Sequence, residues 1–242
     1  MKISFLFSLF FGLSISLYSQ SKTTENSKGK LIFSDDFNRL EKDDSKEELG
    51  KNWTTNSKNR AQGLKQADLK NGTLHIKMTK TANHAVSVKH DAPFKNGTVQ
   101  VKFQITDKKG IAFNFNDPAI KNTVWAGHVC QVKITPSSIK ITDQKEGIFK
   151  LSIHSKKKAG ASAREIQELT KGKSKSIKHN CQPNTWYNLT LNFEEETLSV
   201  WINDMKVGTH SSLGFAHNPK QNIAFSVASH AIVDDLKIYS KD

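Results

Sequence analysis

Asn222-Ile-Ala-Phe-Ser-Val-Ala-Ser229, followed by Ala231-Ile-Val-Asp-Asp-Leu-Lys-Ile-Tyr239, is the stretch that decides the fold. Apolar and polar residues alternate, the signature of strands with one buried face. The opposite end of the chain carries Phe33-Ser34-Asp35-Asp36-Phe37 and the Trp-bearing segment Gly50-Lys51-Asn52-Trp53.

Working outward, the middle reads as strands nearly throughout. Leu74, Ile76 and Met78 alternate with His75 and Lys77 after an Asn71-Gly72 turn. Val99, Val101, Phe103 and Ile105 alternate with Gln100, Lys102 and Gln104 after Asn96-Gly97. Ile111, Phe113 and Phe115 share one face, and Asn114 and Asn116 the other. Cys130, Val132 and Ile134 alternate with Gln131 and Lys133; Ile139 and Ile141 follow Pro136-Ser137. Leu189, Leu191 and Phe193 run into Glu194-Glu195-Glu196, and Leu198, Val200 and Ile202 return, with Trp201 and Asn203 facing the other way. Short turns with no intervening helix predict an all-β, antiparallel two-sheet sandwich. One segment, about 155–178, breaks the pattern. There Ala163–Leu169 reads as a short helix with Ser162 as N-cap and Glu165 three residues on, inside a Lys-rich surface insertion.

The front end sets the expected compartment. Lys2 precedes an apolar run from Ile3 to Leu17, with a small residue at Ser19. That is the pattern of a secretory signal peptide over 1–19, too short for a membrane span. A polar leader over 20–30 and one domain over 31–242 follow, in a periplasmic or secreted protein. The formal net charge is +13, with 36 Lys plus Arg against 23 Asp plus Glu, and only Arg39, Arg60 and Arg164 are Arg. A Lys-rich surface attracts polyanions. For an exported chain without nucleic-acid motifs, that points to an anionic polysaccharide, with anionic lipid headgroups as another polyanion, and argues against a nucleic-acid role. An even cysteine count predicts a Cys130–Cys181 disulfide, worth about 4 kcal/mol if formed; one buried and one exposed thiol is the alternative. The two Cys lack the clustered His of a zinc site.

The run Gly127-His128-Val129-Cys130-Gln131-Val132-Lys133-Ile134-Thr135-Pro136, together with Asn184-Thr185-Trp186-Tyr187, His217-Asn218-Pro219-Lys220 and the Val233-Asp234-Asp235 ending, resembles exported bacterial proteins of the concanavalin A-like (laminin G-like) jelly-roll superfamily. Within it the likeness is to family 16-type glycoside hydrolases and 3-keto-disaccharide hydrolase-like domains. It implies a jelly roll, closed by pairing of its first and last strands, and a carbohydrate-related role. Family 16 enzymes carry Glu-x-Asp-x-(x)-Glu on one strand, and this chain has no such run.

Two functional readings follow. The first is a carbohydrate-binding protein whose exposed sheet face presents Lys102, Gln104, Asn114, Asn116, Trp201 and Asn203, with Trp125 as a second stacking surface. The second is a glycan-cleaving hydrolase or lyase in which His84, His128 and His217 meet at one rim as a base or metal site. No cofactor is expected. A structural calcium at Asp35, Asp36, Asp234 and Asp235 is the alternative to a plain pair of strand-end turns.

Overall fold

Among the described residues, the alternation read above builds fifteen strands in two antiparallel sheets. The computed structural model describes residues 28–125 and 127–242; the expected signal peptide and most of the leader lie outside them. The strands are β1 (Lys30–Asp35), β2 (Thr54–Thr55), β3 (Ala67–Lys70), β4 (Thr73–Lys77), β5 (Val86–Phe94), β6 (Gly97–Ile105), β7 (Ile111–Asn116), β8 (His128–Thr135) and β9 (Ser138–Asp143). They continue as β10 (Ser174–Lys178), β11 (Tyr187–Glu194), β12 (Thr197–Ile202), β13 (Met205–Ser211), β14 (Lys220–Val227) and β15 (His230–Ser240). The first sheet runs β13-β12-β11-β6-β15-β4-β3, with β1 also on β15; the second runs β10-β9-β8-β7-β14-β5-β2. The two ends of the chain meet as expected: Leu31 pairs with Tyr239 and Asp35 with Leu236. This is the jelly-roll sandwich.

The apolar faces of both sheets meet in one core. Phe115 packs edge-on to Phe193 at 4.7 Å between ring centres, and Phe94 to Phe193 at 5.4 Å. Trp53 closes one end, its indole nitrogen donating to Asp35 Oδ2 at 2.8 Å. His90 points into this core and stacks on Phe33 at 3.8 Å. Lys220 is also fully buried, its ammonium near the rings of Phe94 and Phe193.

The insertion is smaller and more regular than the sequence predicts. Helix α1 (Ser57–Arg60) lies elsewhere; α2 (Leu151–Lys158) and α3 (Ala163–Leu169) form the insertion, and Ser174–Lys178 is strand β10 rather than loop. Ile177 is the only apolar residue of β10, and its Lys residues sit on an exposed edge strand, where charge blocks further pairing. Ser162 caps α3 as expected, accepting from the Glu165 N–H at 3.2 Å. The Glu165 carboxylate turns away to Lys156 instead of closing the capping box.

The expected disulfide is corrected: Cys130 and Cys181 are both free and both buried. Cys181 donates its backbone N–H to Pro136 O, beyond the far end of β8. Six residues of extended chain separate Pro136 from Cys130, about 20 Å, far more than the roughly 4–7 Å between bridged Cα atoms. Burial pushes the Cys130 thiol up to about 12 and the Cys181 thiol up to about 11, so both stay protonated and inert.

Candidate functional site

Strand β7 sits at the centre of the second sheet, and all six of its residues are buried. Ile111, Phe113 and Phe115 fill the core. Asn114 and Asn116 face the other way, yet are also covered, because the outer face of this sheet is a walled cleft of about 610 Å³. Its floor and walls include Asn114, Asn116, Gln131, Asn222, Gln144, Lys89, His84 and His128, with Trp125 and Phe149 at one lip.

His128 reaches the cleft through a local irregularity. Strict alternation would send it inward with Cys130, but the β7–β8 ladder slips between Phe115 and Asn116, so Asn116 pairs with His128. A bulge of this kind re-aims one side chain. Gly127, at φ 69, makes the approach feasible: a Cβ there would lie 1.8 Å from Asp117 O. His128 then sits 3.1 Å, Nδ1 to Oδ1, from Asn116. Asn116 in turn donates through Nδ2 to Asn222 Oδ1 at 3.0 Å. With the Asn116 amide held that way round, its oxygen accepts from His128 Nδ1–H, and the lone pair is left on Nε2. Burial, and then the charge of nearby His84, hold the His128 imidazole below its ordinary value, so it is neutral at neutral pH. A neutral imidazole with a free Nε2 lone pair is a general base. His84 is exposed and its Nδ1 lies 2.9 Å from Ala85 O.

The predicted site residues therefore divide. His84, His128, Asn114, Asn116 and Trp125 come together in the cleft. His217 does not line it. Its Nε2 lies 2.9 Å from Asp117 Oδ2, an ion-pair geometry that fixes the turn before β14, although burial lowers its affinity for a proton. Lys102, Gln104, Trp201 and Asn203 belong to the other sheet, because β6, β11 and β12 lie on the opposite side of the sandwich from β7. There Lys102 pairs with Asp235 at 2.5 Å, Lys206 sits 5.3 Å from the Trp201 ring centre, and Asn203 Oδ1 accepts from the Asn188 N–H in a hairpin turn. Trp186 stands just ahead of β11 and is 42% exposed. Of the four aspartates proposed for calcium, Asp35 is clamped by both Arg39 guanidinium nitrogens at 2.6 and 2.9 Å and Asp235 by Lys102. Asp36 Oδ1 accepts from the Asn38 N–H at 3.1 Å, and Asp234 is held above the ordinary carboxylate range by burial.

Sequence reading missed Asn222, Gln131, Gln144 and Lys89. The alternation of Asn222, Ala224 and Ser226 against Ile223, Phe225 and Val227 carried the signal for the first. Nothing local marks Gln144, which reaches the cleft only because β9 ends beside β8, its N–H donating to Val129 O. Among the described residues lining the cleft there is no carboxylate. No helix among the described residues is long and apolar enough to cross a membrane.

Residues 36–237 match the family described as the 3-keto-alpha-glucoside-1,2-lyase-like domain. The chain belongs to this family. The lyase-like domain resembles solved jelly rolls that handle carbohydrates. They include the carbohydrate-binding module CBM66 from Bacillus subtilis (TM-score 0.52, 14% identity, 78% of this chain and 96% of that one). A second is SCLam, a non-specific endo-beta-1,3(4)-glucanase from family GH16 (TM-score 0.56, 13% identity, 88% and 91%). A third is a laminarinase from Flavobacterium sp. UMI-01 (TM-score 0.55, 14% identity, 87% and 100%). At these identities the likeness shows the fold. Among curated proteins none matches the chain by sequence. The family match, with the fold, makes the chain a carbohydrate-related jelly-roll protein.

Proposed function

We propose that the cleft binds a glycoside and that His128 abstracts a proton beside a carbonyl of the sugar, eliminating the group at the anomeric carbon. One observation carries the reading: two imidazoles, one ammonium and a set of amides line the cleft, and no described carboxylate does. Hydrolysis by the usual glycosidase route needs two carboxyl groups flanking the bond. Elimination needs one base. In a 3-keto glycoside the C2 proton is acidified by the carbonyl. His128 Nε2 takes it, the C2–H electron pair becomes the C1–C2 double bond, and the C1–O bond breaks. The departing oxygen leaves with a proton, for which His84 at the cleft wall is the donor. Lys89, on the same wall, opposes the negative charge that develops on the carbonyl oxygen.

An anionic polysaccharide, met outside the cell after export, is the source that the charge pattern favours. The aromatic lip supports it: Trp125 is 72% exposed and packs on His154 of α2 at 5.0 Å. Exposed Lys156, Lys157 and Lys158 make up the last turn of that helix. The binding-only reading, favoured by the likeness to a carbohydrate-binding module, keeps the same cleft without the proton transfer.

The test is incubation with a 3-keto-α-glucoside and with the matching unoxidised glycoside, following ultraviolet absorbance of the unsaturated keto sugar and reducing-end release. The expected result is absorbance from the keto sugar alone, falling about 100-fold or more in His128→Ala. Binding without product supports the module reading. Reducing ends from the unoxidised glycoside, or full turnover by His128→Ala, would overturn the elimination.

A further inference from the structure

Two buried polar atoms on the cleft floor have no partner among the described residues: Asn222 Nδ2 and Gln144 Oε1. Their side chains are nearly covered, Asn222 at 1% exposure and Gln144 at 5%, and both line the cleft. Buried polar atoms are almost always paired, so two such atoms in one cleft point to a ligand that completes them.

Their placement is ordered. Asn222 on β14 pairs with Asn116 on β7, Asn116 pairs with His128 on β8, and Gln144 follows β9 beside Val129. The four residues form a row across neighbouring strands, spanning about 14 Å at the usual strand spacing. His128 sits inside the row, with an unpaired donor on one side and an unpaired acceptor on the other. The donor is fixed as a donor by the chain itself: Asn222 Oδ1 already accepts from Asn116 Nδ2, which leaves only Nδ2 free. Neighbouring Asn114 cannot serve either role as freely. Its Oδ1 accepts from Gln131 Nε2 at 2.8 Å, and its Nδ2 is aimed at Ala224 O at 3.4 Å.

We infer that Asn222 and Gln144 are the specificity-determining amides of this cleft, holding a sugar across His128 with an oxygen acceptor on Asn222 Nδ2 and a hydroxyl donor on Gln144 Oε1. This rests on the carbohydrate reading of the cleft and extends it. The row admits a ligand bearing an acceptor and a hydroxyl on opposite flanks, as a pyranose does, and discriminates against one that leaves either amide unpaired. A site built to hydrogen-bond a hydroxyl rejects the analogue lacking it far more strongly than an apolar pocket rejects an extra methylene.

The experiment uses the full chain, methyl α-glucoside and its monodeoxy derivatives, with affinity read by NMR titration. The native protein is expected to bind one monodeoxy derivative at least about 10-fold more weakly than the parent. Gln144→Met, which keeps volume and removes the acceptor, is expected to bind the parent more weakly and to lose that discrimination, falling within about 3-fold. Asn222→Asp keeps the acceptor toward Asn116 and turns the free donor into an acceptor. It is expected to weaken all the sugars by at least about 10-fold while melting as a folded protein. If the native protein binds none of these sugars, the amide assignment is overturned, while the carbohydrate reading is judged by the 3-keto-α-glucoside assay above. If it binds them and Gln144→Met discriminates as before, the amide assignment alone is overturned.

Discussion

Lys220 allows the sharpest test of how this core is held. Its side chain is fully buried, with no carboxylate paired to it among the described residues. Its ammonium donates to Lys95 O at 2.5 Å and His217 O at 3.2 Å. Burial pulls it down from 10.5 to about 8. The sign follows from which form the fold disfavours. The charged amine is penalised in the folded state, so the penalty is complete below the folded value and fades as pH rises from about 8 toward 10.5. At about pH 7 the penalty is on the order of 3 kcal/mol, and at about pH 9.5 it is roughly 1.4 kcal/mol. Lys220→Met removes the penalty and leaves two carbonyls without a donor, costing about 1 kcal/mol each. The variant is therefore expected to be about 1 kcal/mol more stable than the native protein near pH 7, and slightly less stable near pH 9.5. Urea unfolding of both proteins at the two pH values measures this. The Cys130 and Cys181 thiols also titrate in the unfolded chain, but they are common to both proteins and cancel in the difference. A stability difference that stays constant between the two pH values would refute the argument, because no other change separates the two proteins.

Two further outcomes bear on the site and the core. If elimination is observed, its kcat/KM should rise on an acid limb whose midpoint lies below the ordinary 6.5 of histidine, because burial and His84 lower His128; a midpoint above that value contradicts a neutral, buried base. Both cysteines should fail to react with a thiol reagent in the native protein, react fully after unfolding, and give identical mobility with and without reductant, since two free thiols are buried.

The sandwich was legible because its strands are half-buried, and period-two alternation reports a half-buried strand directly. Phe103 against Lys102, or Phe113 against Asn114, needs no tertiary knowledge. The pairing of the first and last strands was legible only through the resemblance to jelly rolls, since alternation reports a buried face and not a partner. Elements without a buried stripe were not. Helix α2 buries only Ile153, and β10 offers Ile177 alone, so neither leaves a pattern. The site was half legible. Asn114, Asn116, Trp125, His84 and His128 were singled out by residue type, but which sheet each strand joins is a property of topology. That is why Trp201 and Asn203 were grouped with asparagines that lie across the sandwich from them. His128 also depended on a one-residue slip in a ladder, which alternation cannot foresee.

The cleft is where this chain departs from the rules that the rest of it obeys. The long central strands mostly bury one face and wet the other, while β7 and the Asn222–Phe225 run of β14 bury both, and the outer face they bury carries amides. Covering Asn116, His128, Asn222 and Gln144 strips them of water, and two of their polar atoms regain no partner from the described protein. For the fold alone, apolar residues of the same shape would serve better, since an unpaired buried amide costs about 1–3 kcal/mol. The same desolvation lowers His128, which keeps the imidazole neutral and its Nε2 available as a base. The stability given up along this row and the reactivity gained at its centre thus have one physical cause, the walling of the second sheet, as expected where a locally unfavourable choice marks a functional site.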